Sequence, residues 1–575
     1  MKKLILVLLA ILIHRLVFSQ YSKLPIIGLD TGFVNPYNYK IVKSRNYNKG
    51  AVSTAHPLAS LVGATILSRG GNAFDAAIAV QWVLAVVYPG AGNIGGGGFL
   101  VGHSWEGKNI AIDFREAAPS KATKDMYLDN EGNVQTKLSQ QGHLACGVPG
   151  TVAGLFETKK YSRLSMRTLI QPAIDIAEFG FVITEGEANG LNATKSSFIA
   201  NSTQPSAFVK ETPWKVGDTL INKDLAETLK RIRDYGERGF YEGKTAKLIV
   251  EEMRQGNGIM TLDDLKNYKA KSRAVISFNY KGYEIVSMSP PSSGGILLCQ
   301  MMKMIENRNI SRFPFQSPQS VQLMVEAERR AFADRATYLG DPDFWKVPVN
   351  TLTDAAYLRK RMEDFDSTKA TPSASIKAGL IHESDQTTHI SILDKEGNMV
   401  SVTTTLNGSY GSRTVVGGAG FLLNNQMDDF SAKPGAANMY GAIGGAANAI
   451  QPNKRMLSSM TPTLVLKNKK PYLVVGTPGG TTIPTSVFQT LVNIIDYKMS
   501  GDEAVNLPKF HHQWLPDEIS IEPSFSDNTK GALEKMGYNF RKRISIGRTE
   551  LIRILPDGKK EITADNRGDD SVAGY

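Results

Sequence analysis

The spacing of apolar residues predicts two consecutive helices near the start of the chain. Apolar residues recur at helical intervals over residues 57–66, behind a proline that suits the first turn of a helix. Two glycines at 70–71 end this segment, and a second helix is predicted from Ala73 to about Val87. Because the second helix is apolar on almost every side, we expect it to be buried.

A glycine-rich segment follows at residues 90–98, with the sequence GAGNIGGGG. Four consecutive glycines require either positive φ angles or very close backbone packing. The spacing fits neither GxGxxG nor GxxxxGK[ST], the two glycine patterns of nucleotide-binding loops. Residues 243–245 resemble the end of the second pattern, but Arg238 occupies its first glycine position. Both nucleotide-binding interpretations therefore fail on spacing.

A third helix and an exposed segment precede a change of pattern. Ser317 and Pro318 predict the start of a helix that ends before Gly340, with its Arg and Glu residues on a solvated face. Residues 364–380 are rich in Ser, Thr and Ala and are predicted to be exposed and flexible. Strand-like sequence begins directly after them.

Two β-branched runs on either side of the turn-like sequence DKEGN (residues 394–398) predict a β-hairpin. If Leu393 pairs with Met399, Thr387 lies opposite Thr405, with Cβ atoms about 4.5–5.5 Å apart. A four-residue turn would shift the register and separate these two threonines. Threonine pairs are common in strands, so the hairpin by itself indicates no chemistry.

Composition and charge exclude several classes of protein. With 42% hydrophobic and 21% charged residues, the 575-residue chain has an ordinary globular composition, unlike a disordered, collagen-like or coiled-coil protein. The net charge of +11 is spread along the chain without interleaved aromatic residues, so we expect no nucleic-acid partner. With only two cysteines, Cys146 and Cys299, a disulfide framework and a Cys-rich zinc module are excluded. We expect both thiols to be buried and unpaired.

Residues 1–20 predict a secretory signal peptide. Two lysines precede an apolar run over residues 4–13, and a cleavage position follows near Gln20. This run is too short to cross a bilayer. His14 and Arg15 interrupt the pattern, which leaves a short membrane anchor as the alternative. We therefore expect an exported protein, either periplasmic or extracellular.

Short motifs are spread over roughly residues 45–560. They are, in chain order, Ala91–Phe99, Asp113–Glu116, Val148–Thr151, Asp385–His389, Leu423–Phe430, Pro452–Arg455, Leu457–Met460, Gly476–Gly480 and Phe510–Trp514. In sequence and in order, these motifs resemble the γ-glutamyltranspeptidases (glutathione hydrolases), a family of N-terminal nucleophile hydrolases. One such motif would be weak evidence, but this many in family order is strong evidence.

The resemblance implies an α+β fold, a four-layer αββα sandwich built from two interleaved subunits. It also implies that the precursor cuts itself between Gln386 and Thr387. The products would be a large subunit, residues 21–386, and a small catalytic subunit, residues 387–575, forming one domain. The segment before the cut is expected to be flexible because the new N-terminus must move away from its former partner.

The resemblance makes Thr387 the nucleophile. A threonine hydroxyl needs a base, and the α-amine freed by cleavage, with a reference pKa of about 7.7–8.0, can accept its proton. Thr405 would hold Thr387 in place by a hydrogen bond. Gly479 and Gly480 match the family's oxyanion hole, in which backbone N–H groups stabilise the negatively charged intermediate. We expect His389 to have a packing role, because the amine already serves as the base.

The resemblance also implies a pocket for the α-carboxylate and α-ammonium of a γ-glutamyl group. Arg115 matches the residue that binds the carboxylate, and Asp429 matches the residue that pairs with the ammonium. The other implied binding residues are Asn407 and Gln426 beside the ammonium, Ser458 and Ser459 beside the carboxylate, and Tyr440, which matches a gating tyrosine in the lid loop at 434–450. No cofactor and no metal are expected, because the adjacent His511 and His512 would point to different faces of a strand.

Three hypotheses follow. The first is an exported, self-cleaving γ-glutamyl transferase and hydrolase, acting on glutathione or other γ-glutamyl compounds with water, amino acids or dipeptides as acceptors. The second is a cephalosporin or glutaryl amide acylase of the same class, which need not keep the charged pocket of Arg115 and Asp429. The third is an unprocessed relative that serves as a binding protein.

Overall fold

Two seven-stranded antiparallel sheets form the centre of the protein. The computed structural model describes residues 26–27, 34–376, 387–433 and 445–575. The strands are β1 (Ser44–Tyr47), β2 (Ala51–Thr54), β3 (Gly97–His103), β4 (Asn109–Asp113), β5 (Phe181–Val182), β6 (Thr219–Leu220), β7 (Lys271–Arg273), β8 (Ile276–Tyr280), β9 (Tyr283–Ser287), β10 (Thr388–Leu393), β11 (Met399–Thr405), β12 (Thr463–Lys467), β13 (Lys470–Gly476), β14 (Phe510–His511), β15 (Ile519–Ile521), β16 (Phe540–Lys542), β17 (Glu550–Ile554), β18 (Lys560–Ala564) and β19 (Ser571–Gly574).

The first sheet has the strand order β19-β2-β10-β11-β3-β4-β7, and the second has the order β1-β18-β17-β13-β12-β9-β8. Each sheet combines strands from both sides of residue 387. In the first sheet, β10 and β11 lie between β2 and β3. The chain before residue 387 and the chain after it are therefore interleaved in both sheets.

The α-helices cover the outer faces of the two sheets. They are α1 (Pro57–Ser68), α2 (Ala73–Val87), α3 (Thr136–Gln140), α4 (Thr151–Thr158), α5 (Met166–Phe179), α6 (Glu185–Asn201), α7 (Lys223–Tyr235), α8 (Arg238–Tyr241), α9 (Gly243–Gln255), α10 (Leu262–Asn267), α11 (Gly294–Glu306), α12 (Pro318–Tyr338), α13 (Val349–Leu352), α14 (Ala355–Arg361), α15 (Thr482–Ile495), α16 (Gly501–Asn506) and α17 (Asp527–Lys535). The bounds of α1 and α2 and the Ser317 cap of α12 confirm the sequence predictions.

Three apolar cores separate the four layers. Ile390 and Ile392 of β10 pack with α1 and α2 on one outer face. On the other outer face, α11, α12 and α15 pack against the second sheet. Between the sheets, Val101 meets Val286 and Leu464. This arrangement is the predicted αββα sandwich.

The glycine-rich segment owes its composition to close packing and not to positive φ angles. At Gly96, a Cβ atom would lie 2.1 Å from the carbonyl oxygen of Thr405, and at Gly98 it would lie 2.3 Å from that of Thr403. Such distances are far shorter than van der Waals contact, so side chains are excluded at both positions. The glycines thus allow β3 to approach β11 closely, beside the end of the hairpin.

The prediction that the charged residues of α12 form a solvated face is wrong. Glu326, Glu328, Arg329, Arg330 and Arg335 are each at most 1% exposed. Some of these charges form buried ion pairs, as between Arg330 and Glu326, whose side chains lie 2.5 Å apart. Glu328 has no such pair in the described structure, and burial raises the pKa of its carboxyl group well above the usual range.

The segment predicted to be exposed and flexible is exposed over most of its described length, but it is anchored near its end. Ser373 is fully buried: its N–H donates to Asp517 Oδ2 (2.8 Å), and its carbonyl oxygen accepts from Trp514 Nε1 (2.8 Å). Residues 377–380 of this segment lie outside the described residues.

Both cysteines are buried and free, which confirms the prediction. Burial raises the pKa of the Cys146 and Cys299 thiols to about 12, so neither is a reactive thiolate. Among the described residues, no helix is long and apolar enough to span a bilayer. The predicted signal peptide, residues 1–20, lies outside the described part of the chain.

Candidate active site

The hairpin register brings the two predicted catalytic threonines together. Strands β10 and β11 pair from Leu393 with Met399 to Thr388 with Thr404, which is the predicted register. Continued by one residue, this register sets Thr387 beside Thr405. Both line a single cavity.

The same cavity collects most of the residues expected from the sequence. It lies at the end of the core between the sheets, because Met460 and Ile483 belong both to that core and to the cavity wall. The other lining residues are Arg115, Thr387, Thr405, Asn407, Gln426, Asp429, Ser458 and Gly480. Residues from both sides of position 387 therefore complete one site.

Thr405 is fixed on three sides. Its backbone pairs with Gly97 of β3, and its carbonyl oxygen accepts a hydrogen bond from Asn93 Nδ2 (2.9 Å). Its hydroxyl oxygen accepts a hydrogen bond from the backbone N–H of Asn407 (2.8 Å). Thr405 is only 1% exposed, so it presents a well-held hydroxyl next to Thr387.

Gly479 and Gly480 form a sharp turn between β13 and α15. Their φ angles are +137° and +58°, values that favour glycine. Their carbonyl oxygens accept from the N–H groups of Thr482 and Ile483, both at 3.1 Å. The turn therefore lies at the positive end of the α15 dipole, where a developing negative charge is stabilised. Gly480 lines the cavity, and Gly479 is not among its lining residues.

Opposite charges lie side by side in the cavity wall. The buried Arg115 donates from Nη2 to Asp429 Oδ2 at 2.5 Å and from Nε to the carbonyl oxygen of Met456 at 3.3 Å. Arg115 Nη1 makes no hydrogen bond within the described residues, and a carboxylate oxygen of Glu116 lies 3.7 Å from it. A guanidinium nitrogen that has no hydrogen-bond acceptor in a cavity wall can bind a carboxylate of a ligand.

Of the remaining predicted binding residues that the structure describes, three line the cavity and one does not. Gln426 Nε2 donates to Asp429 Oδ2 (3.1 Å), so it helps to orient that carboxylate. Asn407 donates from Nδ2 to the carbonyl oxygen of Asn425 (3.0 Å) and lines the cavity. Ser458 also lines the cavity, but Ser459 is fully buried outside the set of lining residues.

Two buried neighbours of the site were missed by sequence reasoning. Glu116 is fully buried beside Arg115, and desolvation raises the pKa of its carboxyl group to about 7. Asn448 donates to the carbonyl oxygen of Asp429 (2.7 Å) and accepts from the N–H of Leu457 (2.9 Å), so it joins two walls of the site. The position of Glu116 next to Arg115 was the only signal for the first, and no local signal existed for the second.

His389 has the environment of a packing residue, as expected. Its Nδ1 lies 2.9 Å from the hydroxyl of Thr403, and its ring fills the space where Gly476 has no side chain. Burial lowers its pKa to about 3, so the imidazole is neutral near pH 7.

Two sequence predictions concern residues outside the described part of the chain. Gln386, on the other side of the predicted cut, and Tyr440, in the predicted lid, both lie there. In the described ranges, no group of three His, Cys, Asp or Glu residues could hold a metal ion.

Comparison with known proteins gives consistent matches. A family model described as gamma-glutamyltranspeptidase matches residues 59–575. The glutathione hydrolase proenzyme of Escherichia coli (strain K12) is 48% identical over 533 residues, 92% of each chain. A crystal structure of cephalosporin acylase from Bacillus halodurans has a TM-score of 0.81 at 25% identity, over 95% of this chain and 99% of that one. The gamma-glutamyltranspeptidase of Helicobacter pylori has a TM-score of 0.56 at 44% identity, over 59% of this chain and 96% of that one.

Proposed function

Because the chain belongs to the γ-glutamyltranspeptidase family, we propose that it cuts itself before Thr387 and then uses the new N-terminus to transfer γ-glutamyl groups. The enzyme is a γ-glutamyltransferase and glutathione hydrolase. One observation supports the assignment of roles to individual residues. Thr387, Thr405 and Gly480 line the same cavity as the ion pair of Arg115 and Asp429.

Self-cleavage uses the hydroxyl of Thr387 against the peptide bond that precedes it. Attack of the hydroxyl oxygen on the carbonyl carbon of Gln386 forms an ester and breaks the amide C–N bond. The threonine nitrogen keeps its own hydrogen, takes up the proton that the hydroxyl loses, and becomes the α-amine. Water then hydrolyses the ester, which restores the hydroxyl. The products are a large subunit ending at residue 386 and a small subunit of residues 387–575. The interleaved strands would keep the two subunits together.

In the mature enzyme, the α-amine of Thr387 takes the hydroxyl proton as the oxygen attacks the γ-carbonyl carbon of the donor. The carbonyl oxygen becomes an oxyanion, which the N–H groups of the Gly479–Gly480 turn stabilise. Collapse of this intermediate expels the donor amine, which leaves with a proton from Thr387. Water, or the amine of an amino acid or dipeptide, then attacks the ester carbonyl of the acyl-enzyme. This releases the γ-glutamyl product and restores the hydroxyl of Thr387.

The charged pair supplies recognition of the donor. Arg115 Nη1, which has no hydrogen-bond partner in the described structure, would bind the α-carboxylate, with Ser458 in the same wall. Asp429, oriented by Gln426 and Asn448, would bind the α-ammonium. Asn407 lies beside them and would support the ammonium.

Export to the periplasm or medium is part of the proposal, and it depends on the signal-like sequence of residues 1–20. Glutathione and other γ-glutamyl compounds outside the cytoplasm would then be the donors. The assignment of Tyr440 to a lid over the acyl-enzyme remains a prediction from the sequence.

A matched pair of substrates tests this function. γ-Glutamyl anilide and glutaryl anilide differ only in the α-ammonium group, which Asp429 would bind. We expect kcat/KM to be at least about tenfold higher for the γ-glutamyl compound, because a charged hydrogen bond contributes about 1.5–3 kcal/mol. Equal rates, or a preference for the glutaryl compound, would contradict the proposal.

A cephalosporin or glutaryl acylase is the second candidate, favoured by the similarity to the Bacillus halodurans structure. An acylase of that kind needs no partner for an ammonium group. The ion pair of Arg115 with Asp429 favours the γ-glutamyl donor instead. A preference for glutaryl anilide would establish the second candidate.

A further inference from the structure

The helix that follows the glycine turn lacks the usual side-chain cap. Thr481 occupies the capping position of α15, yet its hydroxyl makes no hydrogen bond to the helix amides. It instead donates to Oε1 of Gln513 at 2.7 Å. Threonine at this position normally turns its oxygen toward the first amides of a helix, so the side chain is held in an unusual role.

Gln513 is itself held by a histidine. His511 Nε2 lies 2.8 Å from Gln513 Oε1, and His511 Nδ1 lies 2.9 Å from the hydroxyl of Thr485, one turn into α15. An amide oxygen can only accept, so both Thr481 and His511 Nε2 donate to it. The chain Thr481–Gln513–His511–Thr485 therefore starts and ends on the same helix.

These contacts lie beside amides that have no acceptor. The N–H groups of Gly479, Gly480 and Thr481 donate to no atom of the described residues, although all three residues are buried. Pro484, at the third position of α15, has no N–H group, and the first two helical amides already donate to the glycine carbonyls. Buried unpaired amides are rare, and they are suited to bind an anion.

We propose that Gln513, oriented by His511, is a positioning residue for the oxyanion-binding turn. By accepting the hydroxyl proton of Thr481, it fixes the residue that follows Gly480 and keeps the threonine side chain away from the open amides. The inference rests on the proposed function, because it assumes that the turn binds the oxyanion of acyl transfer.

The test compares three variants, each assayed with γ-glutamyl anilide as the separated, self-cleaved enzyme. Thr481→Val removes the hydroxyl at nearly constant shape, and Thr481→Ser keeps it. Thr490→Val is the matched control, since Thr490 is buried in the same helix and donates only to the carbonyl oxygen of Ser486 in the described structure.

We expect kcat of Thr481→Val to fall about 10- to 100-fold with KM changed less than threefold, because a misplaced oxyanion donor affects the transition state more than substrate binding. Thr481→Ser should recover most of kcat, and Thr490→Val should retain it. Gln513→Met removes the acceptor of Thr481 together with the Nε2 donor to the carbonyl oxygen of Leu515. It should reproduce the loss of kcat, and it tests the inference if Thr481→Val does not mature.

Wild-type kcat in Thr481→Val or in Gln513→Met would overturn the inference. A loss of kcat in Thr490→Val equal to that in Thr481→Val would also overturn it, because the effect would then reflect general destabilisation of α15. Either result leaves the proposed function intact when the wild type turns over γ-glutamyl anilide. A wild type without that activity contradicts the proposed function itself.

Discussion

Arg115 and Asp429 are paired with each other at 2.5 Å in the wall of the cavity that contains Thr387. They come from distant parts of the chain, and the carbonyl oxygens of residues 456 and 457 hold the guanidinium in place. Removing one member of such a buried pair costs free energy, because the other charge stays buried without its partner.

The first prediction concerns Asp429→Asn. We expect this change to lower kcat/KM for γ-glutamyl anilide by about 30-fold or more, because a truncated buried charge pair costs about 2–5 kcal/mol. The rate with glutaryl anilide, which has no ammonium group, should fall much less. Steady-state kinetics with both substrates measures this difference.

Asp428→Asn is the control for that experiment. Asp428 is also buried, but its carboxylate accepts from Ser139 and it does not line the cavity. The preference for the γ-glutamyl substrate should survive this change. An equal loss of preference in both variants would show that the ammonium is not bound by Asp429.

The second prediction concerns pH and His389. Its pKa is lowered by burial from about 6.5 to about 3, so between these values the unfolded chain binds a proton that the folded chain does not. Stability from this group is complete above pH 6.5 and is lost as the pH falls toward 3. We therefore compare how far the free energy of unfolding falls from pH 7 to pH 4. This fall should be about 3 kcal/mol smaller in His389→Asn than in the wild type.

The activity of the same variant separates packing from catalysis. If the α-amine of Thr387 is the base, the acid limb of kcat/KM lies near pH 8 and stays there in His389→Asn, even where the absolute rate changes. A pH–rate profile measures the limb. Its displacement in the variant would make His389 the titrating base.

The third prediction concerns the buried charges of α12. Arg330→Met leaves Glu326 buried without its 2.5 Å partner, so we expect a loss of about 3–5 kcal/mol in unfolding free energy. Arg167→Met removes an exposed ion pair with Asp234 and should change the unfolding free energy by less than about 1 kcal/mol. Urea unfolding of both variants tests the contrast, and equal small losses would mean that the buried pair is not stabilising.

Local sequence patterns predicted the hairpin well, for a physical reason. The β-branched runs and the five-residue turn around Gly397 fix the register within a few residues of Thr387. The first two helices were predicted for the same reason, because their caps and apolar spacing are local. Motif resemblance then supplied Arg115 and Asp429, whose proximity no local pattern shows.

The buried face of α12 could not be predicted, because its cover comes from far along the chain. Arg329 is shielded by Ser373 and Asp517, and Glu326 accepts a hydrogen bond from Tyr538. Asn448 was missed for a similar reason, since its two partners belong to separate loops. Long-range packing decided these positions, and a helix pattern alone contains no information about it.

The fourth and most direct prediction concerns the nucleophile itself. Intact mass and N-terminal sequencing of the purified wild type should show two polypeptides, the smaller beginning at Thr387. Thr387→Ala should remain one inactive chain, while Thr387→Ser, which keeps a hydroxyl, should still be cut at the same bond. A wild type that stays whole, or a Thr387→Ala chain that is cut before residue 387 at the normal rate, would contradict the assignment of Thr387 as the nucleophile.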